Sequence, residues 1–129
     1  MNLISTEKSK LKILIVDDRE PARRMIKRYL CHITDEFREC ADGAEALNAY
    51  RAFMPDWVLM DWEMKRMDGL EATRKIISLF PAARIVMVTQ YCDRELSRAA
   101  VDAGVCGFFP KDDLLDLSEF FKNQPLPNA

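Results

Sequence analysis

Short apolar runs alternate along this chain with longer segments in which apolar residues recur every three or four positions. The runs have the length and the almost unbroken aliphatic character of strands that are covered on both faces of a parallel sheet. They predict five strands, at residues 11–16, 37–40, 57–60, 84–89 and 107–110. The periodic segments predict five amphipathic helices, which begin near residues 21, 44, 70, 93 and 114.

Strict alternation of strands and helices predicts parallel βαβ units with right-handed crossovers, and therefore a doubly wound α/β sheet between two layers of helices. In such folds, ligands bind beyond the carboxyl ends of the strands. Pro110 predicts an edge position for the fifth strand, because proline has no N–H to donate to a neighbouring strand. The fourth helix, whose buried stripe is mainly alanine, is expected to be the most loosely packed.

The length and composition of the chain indicate one domain. Its 129 residues, of which 49% are apolar, can bury a core of ordinary size. We assign residues 11–123 to this domain, residues 1–10 to a flexible tail, and residues 124–129 to a tail or the start of a linker. No segment is typical of a signal peptide or a membrane span, which predicts a soluble cytoplasmic protein without membrane contact.

Charge and cysteine content argue against two classes of protein. The 19 basic and 21 acidic residues give a net charge of −2, far from the basic balance of most nucleic-acid binders, so no direct contact with nucleic acid is expected. The four cysteines lack the short paired spacings of a zinc site or a disulfide framework. They are therefore expected to be reduced thiols, as is usual in the cytosol.

Polar residues stand at the carboxyl ends of four predicted strands. They are Asp17 and Asp18 after the first, Asp61 after the third, Thr89 at the end of the fourth, and Lys111 after the fifth. Taken singly, each has an ordinary explanation as a helix cap, a turn former or a surface cation. Together on one edge of the sheet they predict a site, and three neighbouring carboxylates require a cation. Oxygen ligands without histidine or cysteine favour Mg²⁺, with Mn²⁺ as the alternative.

Asp61 is the best candidate for a nucleophile in this set. A carboxylate can attack a phosphorus centre and form an acyl phosphate. A Mg²⁺ ion held by Asp17, Asp18 and Asp61 would screen the charge of the approaching phosphoryl group. Lys111 and Thr89 would bind the remaining phosphoryl oxygens.

These residues and their neighbours resemble the receiver domain of bacterial two-component response regulators. The resemblance rests on Ile13-Leu14-Ile15-Val16-Asp17-Asp18, on Asp61 followed by Met67-Asp68-Gly69, on Val88-Thr89, and on Gly107-Phe108-Phe109-Pro110-Lys111. It covers residues 11–123 and implies a flavodoxin-like five-stranded sheet in the order 2-1-3-4-5. That order also places the fifth strand at an edge, in agreement with the argument from Pro110.

The resemblance implies that Asp61 is the phosphoacceptor, which takes a phosphoryl group from a sensor histidine kinase or a histidine phosphotransfer protein in a Mg²⁺-dependent reaction. Thr89 and Phe108 resemble the switch pair of the family, whose movement remodels the fourth helix, fifth strand and fifth helix for a downstream target or a second copy. Phe108 lacks the hydroxyl of the frequent tyrosine, so packing alone would hold its inward state. The implied role is regulatory and not enzymatic, apart from slow autodephosphorylation.

Two segments are similar to receivers of the LuxR/NarL type, which usually precede a DNA-binding helix-turn-helix. They are residues 67–74 and Lys111-Asp112. The wider family commonly has a proline after the lysine, joined to it by a cis bond. Because Asp112 stands in that place here, a trans bond is expected. The sequence leaves no residues for a DNA-binding domain, so a stand-alone receiver and a receiver excised from a longer regulator both stay open. Lys65 replaces the usual proline of its loop, which is expected to be less rigid.

Glu63 and Tyr91 occupy variable positions that flank the site in receivers, and Gln90 is bulkier than the small residue that commonly follows the threonine. All three are expected to tune the lifetime of the phosphoryl group. An outward-pointing Gln90 without effect is the alternative.

Two other functions are weighed against the receiver. A metal-dependent phosphohydrolase is disfavoured because only Glu63 follows Asp61 at short spacing as an acid–base candidate. A pseudo-receiver that acts through constitutive contacts is disfavoured because all five polar site residues are present.

Two surfaces have alternative interpretations. The basic face of the first helix, formed by Arg23, Arg24, Lys27 and Arg28, either docks an acidic kinase surface or is merely solvated. The apolar residues Leu115, Phe120 and Phe121 of the last helix either support a dimer or cover the core.

Overall fold

A computed structural model describes residues 11–90 and 93–124. Its ten elements are β1 (Lys12–Val16), α1 (Glu20–Leu30), β2 (Glu36–Cys40), α2 (Gly43–Phe53), β3 (Trp57–Met60), α3 (Gly69–Leu79), β4 (Ile85–Thr89), α4 (Arg94–Ala103), β5 (Gly107–Pro110) and α5 (Leu114–Lys122). Every predicted element is present, and the strand ends and helix starts lie within one residue of the prediction. The predicted N-terminal tail, residues 1–10, lies outside the described residues, as does all but Gln124 of the predicted C-terminal tail, residues 124–129.

All five strands are parallel and lie in the order β2-β1-β3-β4-β5. This order confirms the predicted flavodoxin-like sheet. It also confirms the edge position of β5, where Pro110 stands opposite Thr89 of β4 and no strand among the described residues pairs with its outer side. The missing proline N–H therefore interrupts no ladder.

Two helical layers cover the sheet, and the alternation of side chains along each strand sorts residues between them. Leu14 and Val16 of β1 pack in one cluster with residues of α2, α3 and α4. Ile13 and Ile15 of the same strand pack in a second cluster with α1 and α5. The four residues of β3 are all buried, because this central strand is covered on both faces.

The helices differ in how they begin and how well they pack. Aspartate side chains cap α2, α3, α4 and α5, whereas Arg19 occupies the N-cap of α1 without a side-chain hydrogen bond. The capping interpretation of Asp17 and Asp18 is therefore wrong. Helix α4 has a single buried residue, Ala100, and ends at Gly104, whose φ of 107° suits glycine. This sparse burial agrees with the expected loose packing of α4.

Aromatic residues of α5 cover the core. Phe121 is buried, and its ring centroid lies 5.3 Å from that of Trp57 in an edge-on arrangement. Phe120 is half-buried and contacts both Trp57 and Phe109. Leu115 is the exception, because 68% of its surface is exposed. Of the three residues considered for a dimer, only Leu115 is thus available on the surface.

Three further sequence expectations concern covalent geometry and membrane contact. The Lys111–Asp112 peptide bond is trans, as expected, since no cis bond occurs in the described residues. Cys31, Cys40 and Cys106 are free thiols, while Cys92 lies outside the described part of the chain. Across residues 11–90 and 93–124, no helix combines the length and apolarity required to cross a bilayer.

Candidate functional site

Backbone hydrogen bonds continue the sheet by one residue beyond its strands and so fix the site residues. Asp61 N donates to Val16 O at 2.9 Å, and Lys111 N donates to Thr89 O at 2.8 Å. Asp17 N donates to Cys40 O at 3.1 Å in the same manner. The backbone of each donor residue, Asp17, Asp61 and Lys111, is therefore held by the sheet.

The three predicted carboxylates come together at this edge. One oxygen each from Asp17, Asp18 and Asp61 can be chosen so that all three lie within 4.8 Å of one another. Asp17 is 1% exposed and Asp61 is 5% exposed, while Asp18 is half-buried. A hard divalent cation coordinated by oxygens would need only a small contraction of this cluster. The arrangement therefore fits the predicted Mg²⁺ or Mn²⁺ ligand set.

Lys111 provides the positive charge inside the cluster. Its Nζ lies 2.7 Å from Asp17 Oδ2 and 3.4 Å from Asp61 Oδ2. Asp17 Oδ2 is fully buried and receives no well-directed hydrogen bond, so its contact with the ammonium is an ion pair. One ammonium balances only one of the three carboxylates, which leaves the cluster with an excess of negative charge.

The environment of Asp61 disfavours its ionised form when no cation is bound. Burial raises the pKa of Asp61 to about 6, and the charge of Asp17 acts in the same direction. The Lys111 ammonium and a hydrogen bond from Trp62 N to Asp61 Oδ1, 2.9 Å long, oppose this rise. A cation beside Asp61 would favour the ionised carboxylate, which is the nucleophilic form.

A cavity of about 140 Å³ opens onto Asp61. The residues that line it are Asp18, Arg19, Asp61, Glu63, Thr89, Gln90 and Lys111. The structure thus places Glu63 and Gln90 at the site, whereas Tyr91 lies outside the described residues. Sequence reasoning missed Arg19, although its position directly after the acidic pair was a signal that could have identified it.

Thr89 and Phe108 share one face of the sheet. Phe108 pairs with Met87 and Pro110 pairs with Thr89, so the alternation of strand residues places both side chains towards α4. Thr89 is fully buried, and the half-buried Phe108 ring lies 6.5 Å from the ring of Trp62. The predicted switch residues are therefore on the same side of adjacent strands.

The basic face of α1 is largely paired within the domain. Arg23 and Lys27 both contact Glu39 of β2, at 2.8 and 2.6 Å. Arg24 pairs with Glu20 one helical turn away. These ion pairs reduce the positive charge that this face offers to an acidic partner.

Comparisons with known proteins place these observations in a family. The model of the response regulator receiver domain matches residues 13–120. YhcZ of Bacillus subtilis, an uncharacterized transcriptional regulatory protein, is 37% identical over 105 residues, which cover 79% of this chain and 49% of YhcZ. The chemotaxis protein CheY of Halobacterium salinarum is 35% identical over 100 residues, which cover 78% of this chain and 83% of CheY.

A solved structure gives the same result. The crystal structure of a LuxR-family two-component response regulator from Aurantimonas aligns with a TM-score of 0.79 and 32% identity, covering 88% of this chain and 84% of that chain. The chain spans about half the length of YhcZ but most of the length of CheY.

Proposed function

Because the chain belongs to the family of response regulator receiver domains, we propose that Asp61 accepts a phosphoryl group from a phosphohistidine. The donor would be a sensor histidine kinase or a histidine phosphotransfer protein. The observation that carries the proposal is the cavity in which Asp61 lies beside Asp18, Thr89 and Lys111. A buried carboxylate with a lysine, a hydroxyl and further acidic oxygens around it suits transfer of a phosphoryl group.

In the proposed reaction, an Asp61 carboxylate oxygen attacks phosphorus and forms an acyl phosphate. The bond between phosphorus and the donor imidazole breaks, and its electron pair returns to the ring nitrogen, which solvent protonates. No general base is required, because Asp61 reacts as a carboxylate. Lys111 and Thr89 bind oxygens of the phosphoryl group as it arrives, and the sheet keeps both in place.

Asp17, Asp18 and Asp61 would hold the Mg²⁺ ion, or Mn²⁺ in its place. Support comes from the buried Asp17 Oδ2, which lacks a directed hydrogen bond, and from a donor set made only of carboxylates. Bound Mg²⁺ would supply positive charge against the phosphoryl oxygens and against the repulsion among the three carboxylates.

Phosphorylation would switch the surface formed by α4, β5 and α5 through Thr89 and Phe108. The two side chains share a face of the sheet, and α4 is anchored by a single buried residue. A helix with so little buried area can shift at low cost in free energy. The remodelled surface would bind a downstream protein or a second copy of the chain.

The remaining assignments follow from this role. Residues 11–123 form the receiver, and the flanking residues are tails or linker. The domain acts in the cytoplasm, as a regulatory module and not as an enzyme. Glu63 and Gln90, which line the cavity, tune the access of water to the aspartyl phosphate, and Tyr91 is proposed as a third tuning residue.

A second candidate is a receiver that belongs to a longer transcription regulator. The favouring observation is that the chain matches only 49% of YhcZ and resembles a LuxR-family structure. In that case, phosphorylation would control an attached effector domain, and direct nucleic-acid contact would remain outside these residues.

Intact-mass spectrometry after incubation with Mg²⁺ and phosphoramidate tests the proposal. We expect one phosphoryl adduct on the wild type and on Asp35→Asn, a control that changes an exposed carboxylate away from the site, and none on Asp61→Asn. An adduct on all three proteins, or on none, would overturn the assignment of Asp61. Multiple turnover of phosphate esters would instead support a phosphohydrolase.

A further inference from the structure

Asp42 is a buried carboxylate outside the acidic cluster, in the turn between β2 and α2. It is 6% exposed, and its two oxygens accept three backbone hydrogen bonds. One comes from Ala44 N at 2.9 Å and caps α2. The other two come from Arg66 N at 2.9 Å and Met67 N at 3.1 Å, which lie 24 and 25 residues further along the chain. A helix cap alone would need only one of these bonds.

Gly43 brings the same turn against the same segment. A Cβ at this position would lie 2.4 Å from Met67 O and 3.1 Å from Asp68 O. Only glycine therefore permits the backbone of the turn to approach the backbone of the β3–α3 loop (residues 61–68) so closely. Asp42 and Gly43 thus form one backbone contact with the loop that begins at the proposed phosphoacceptor.

The anchored end of the loop connects directly to Asp61. Gly69 N donates to Trp62 O at 2.8 Å, and Trp62 N donates to Asp61 Oδ1 at 2.9 Å. Gly69 itself packs against the Asp61 carbonyl, since a Cβ there would lie 1.9 Å from Asp61 O. Contacts therefore run from Asp42 through Met67 and Gly69 to the carboxylate of Asp61.

We propose that Asp42 is a positioning residue for phosphoryl transfer, because it holds the β3–α3 loop in the shape that orients the Asp61 carboxylate. This inference rests on the proposed function. The loop contains no helix or strand, and Lys65 stands where the resemblance leads one to expect proline. An external anchor would replace the rigidity that a proline would otherwise give to the loop.

The ionisation of Asp42 is consistent with this role. Burial opposes its ionised form, yet the three N–H donors together hold the pKa of Asp42 below its usual value. The carboxylate is therefore negative at neutral pH and can accept all three bonds. An amide in its place would present an NH₂ group to at least one backbone N–H, and that bond would be lost.

Three substitutions separate positioning from helix capping. Asp42→Ser retains a capping oxygen for α2 but is too short and has too few acceptors to hold both loop amides. Asp42→Asn keeps the shape and loses at least one loop bond. Asp93→Ala is the matched control, because Asp93 caps α4 by accepting a 2.8 Å hydrogen bond from Leu96 N and, within the described part of the chain, makes no hydrogen bond to residues 61–69.

The experiment measures, for each folded protein, the rate of phosphoryl-adduct formation from phosphoramidate at saturating Mg²⁺. It also measures amide hydrogen exchange in residues 66–69. We expect Asp42→Ser and Asp42→Asn to react about tenfold to a hundredfold more slowly than the wild type, as a misplaced reacting group does. Their loop amides should exchange faster, and Asp93→Ala should keep both wild-type values.

The outcomes distinguish this inference from the proposal on which it rests. No adduct on the wild type would defeat the proposed function, and the positioning role with it. If the wild type forms the adduct and both Asp42→Ser and Asp42→Asn form it at the same rate, only the positioning role is defeated, whether or not the loop amides exchange faster. A wild-type rate in Asp42→Ser, whatever the rate of Asp42→Asn, would show that the two loop bonds are not required, because serine cannot make both of them, and would likewise overturn the inference.

Discussion

Replacing Gly69 with alanine is the sharpest test of how closely the backbone around Asp61 is packed. The added Cβ would lie 1.9 Å from Asp61 O and 2.9 Å from both Asp61 C and Met60 Cγ. Two of these atoms belong to the backbone, which cannot rotate away as a flexible side chain can. To reach ordinary van der Waals contact, Asp61 O and the new methyl group would have to move apart by about a further 1.5 Å.

Two opposing effects set the magnitude for Gly69→Ala. Alanine favours a helix over glycine by at most about 1 kcal/mol, and less at the first residue of α3 than in its interior. Overpacking of a rigid site costs about 1–3 kcal/mol. We therefore expect a net loss of about 1–2 kcal/mol in the free energy of unfolding. A shift of Asp61 by about 1 Å should also slow phosphorylation about a hundredfold.

Urea unfolding followed by circular dichroism gives the first quantity, and adduct formation from phosphoramidate gives the second. Gly107→Ala in β5 is the control, because its Cβ would meet only side-chain atoms, at 3.0 Å from Phe109 and 3.3 Å from Val86. We expect the control to change the reaction rate less than twofold. Wild-type stability and rate in Gly69→Ala would refute the argument that the Asp61 backbone has no room to move.

Three other predictions concern charge and dynamics. Lys111→Met should lower the free energy of unfolding by about 3–5 kcal/mol in the presence of a chelator, because two buried carboxylates lose their counter-ion. Added Mg²⁺ should restore part of the lost stability. Equal urea midpoints for the variant and the wild type would contradict this prediction. Hydrogen bonding to Lys27 is the main cause of the lowered pKa of Glu39 in the folded protein. Ionised Glu39 therefore stabilises the fold at pH values above the pKa that it has in the unfolded chain, and this stabilisation is lost as the pH falls through its pKa in the folded protein. Glu39→Gln should therefore cost up to about 1 kcal/mol at pH 7 and low salt, and urea unfolding should show this difference shrinking below pH 4 and in high salt. Amide hydrogen exchange should be faster in α4 than in α3, since α4 has one buried residue and α3 has four; the reverse order would count against a loosely held α4.

Much of the fold was predictable because its signals are local. Unbroken apolar runs such as Val58 to Met60 identify buried parallel strands, and strict alternation with helices leaves few possible topologies. The convergence of the five polar residues at one edge of the sheet was predictable for a related reason. Parallel strands end at one edge, so a polar residue directly after an apolar run must lie near its counterparts on the neighbouring strands.

Interactions between segments distant in the chain could not be predicted. The sequence indicates that Arg23 and Lys27 lie on a polar helix face, but not that Glu39 of β2 reaches both of them. Phe120 looks like surplus apolar surface until its contacts with Trp57 and Phe109 are known. Each of these contacts depends on the relative placement of elements, which periodicity does not specify.

Asp42 shows the same limit at a place that matters for the site. In the sequence, Asp42-Gly43 is an ordinary turn before a helix, where an aspartate is expected simply as the helix cap that its bond from Ala44 N provides. Its second role depends on the path of the β3–α3 loop, because Arg66 and Met67 reach Asp42 only after that loop folds back towards α2. A turn residue that already satisfies one local rule gives no sequence signal of a second task.

The two sides of the Asp61 site are therefore held by different means. Thr89 and Lys111 are fixed by sheet hydrogen bonds, which any sequence with this strand order forms. Trp62 and the rest of the β3–α3 loop depend instead on a few contacts made by Asp42 and Gly69. Substitutions on the sheet side should act mainly through the charge of the cluster, whereas substitutions on the loop side should change the orientation of Asp61 at constant charge. The rate of the proposed reaction should consequently be sensitive to Asp42, although Asp42 would touch neither the proposed metal ligands nor the phosphoryl group.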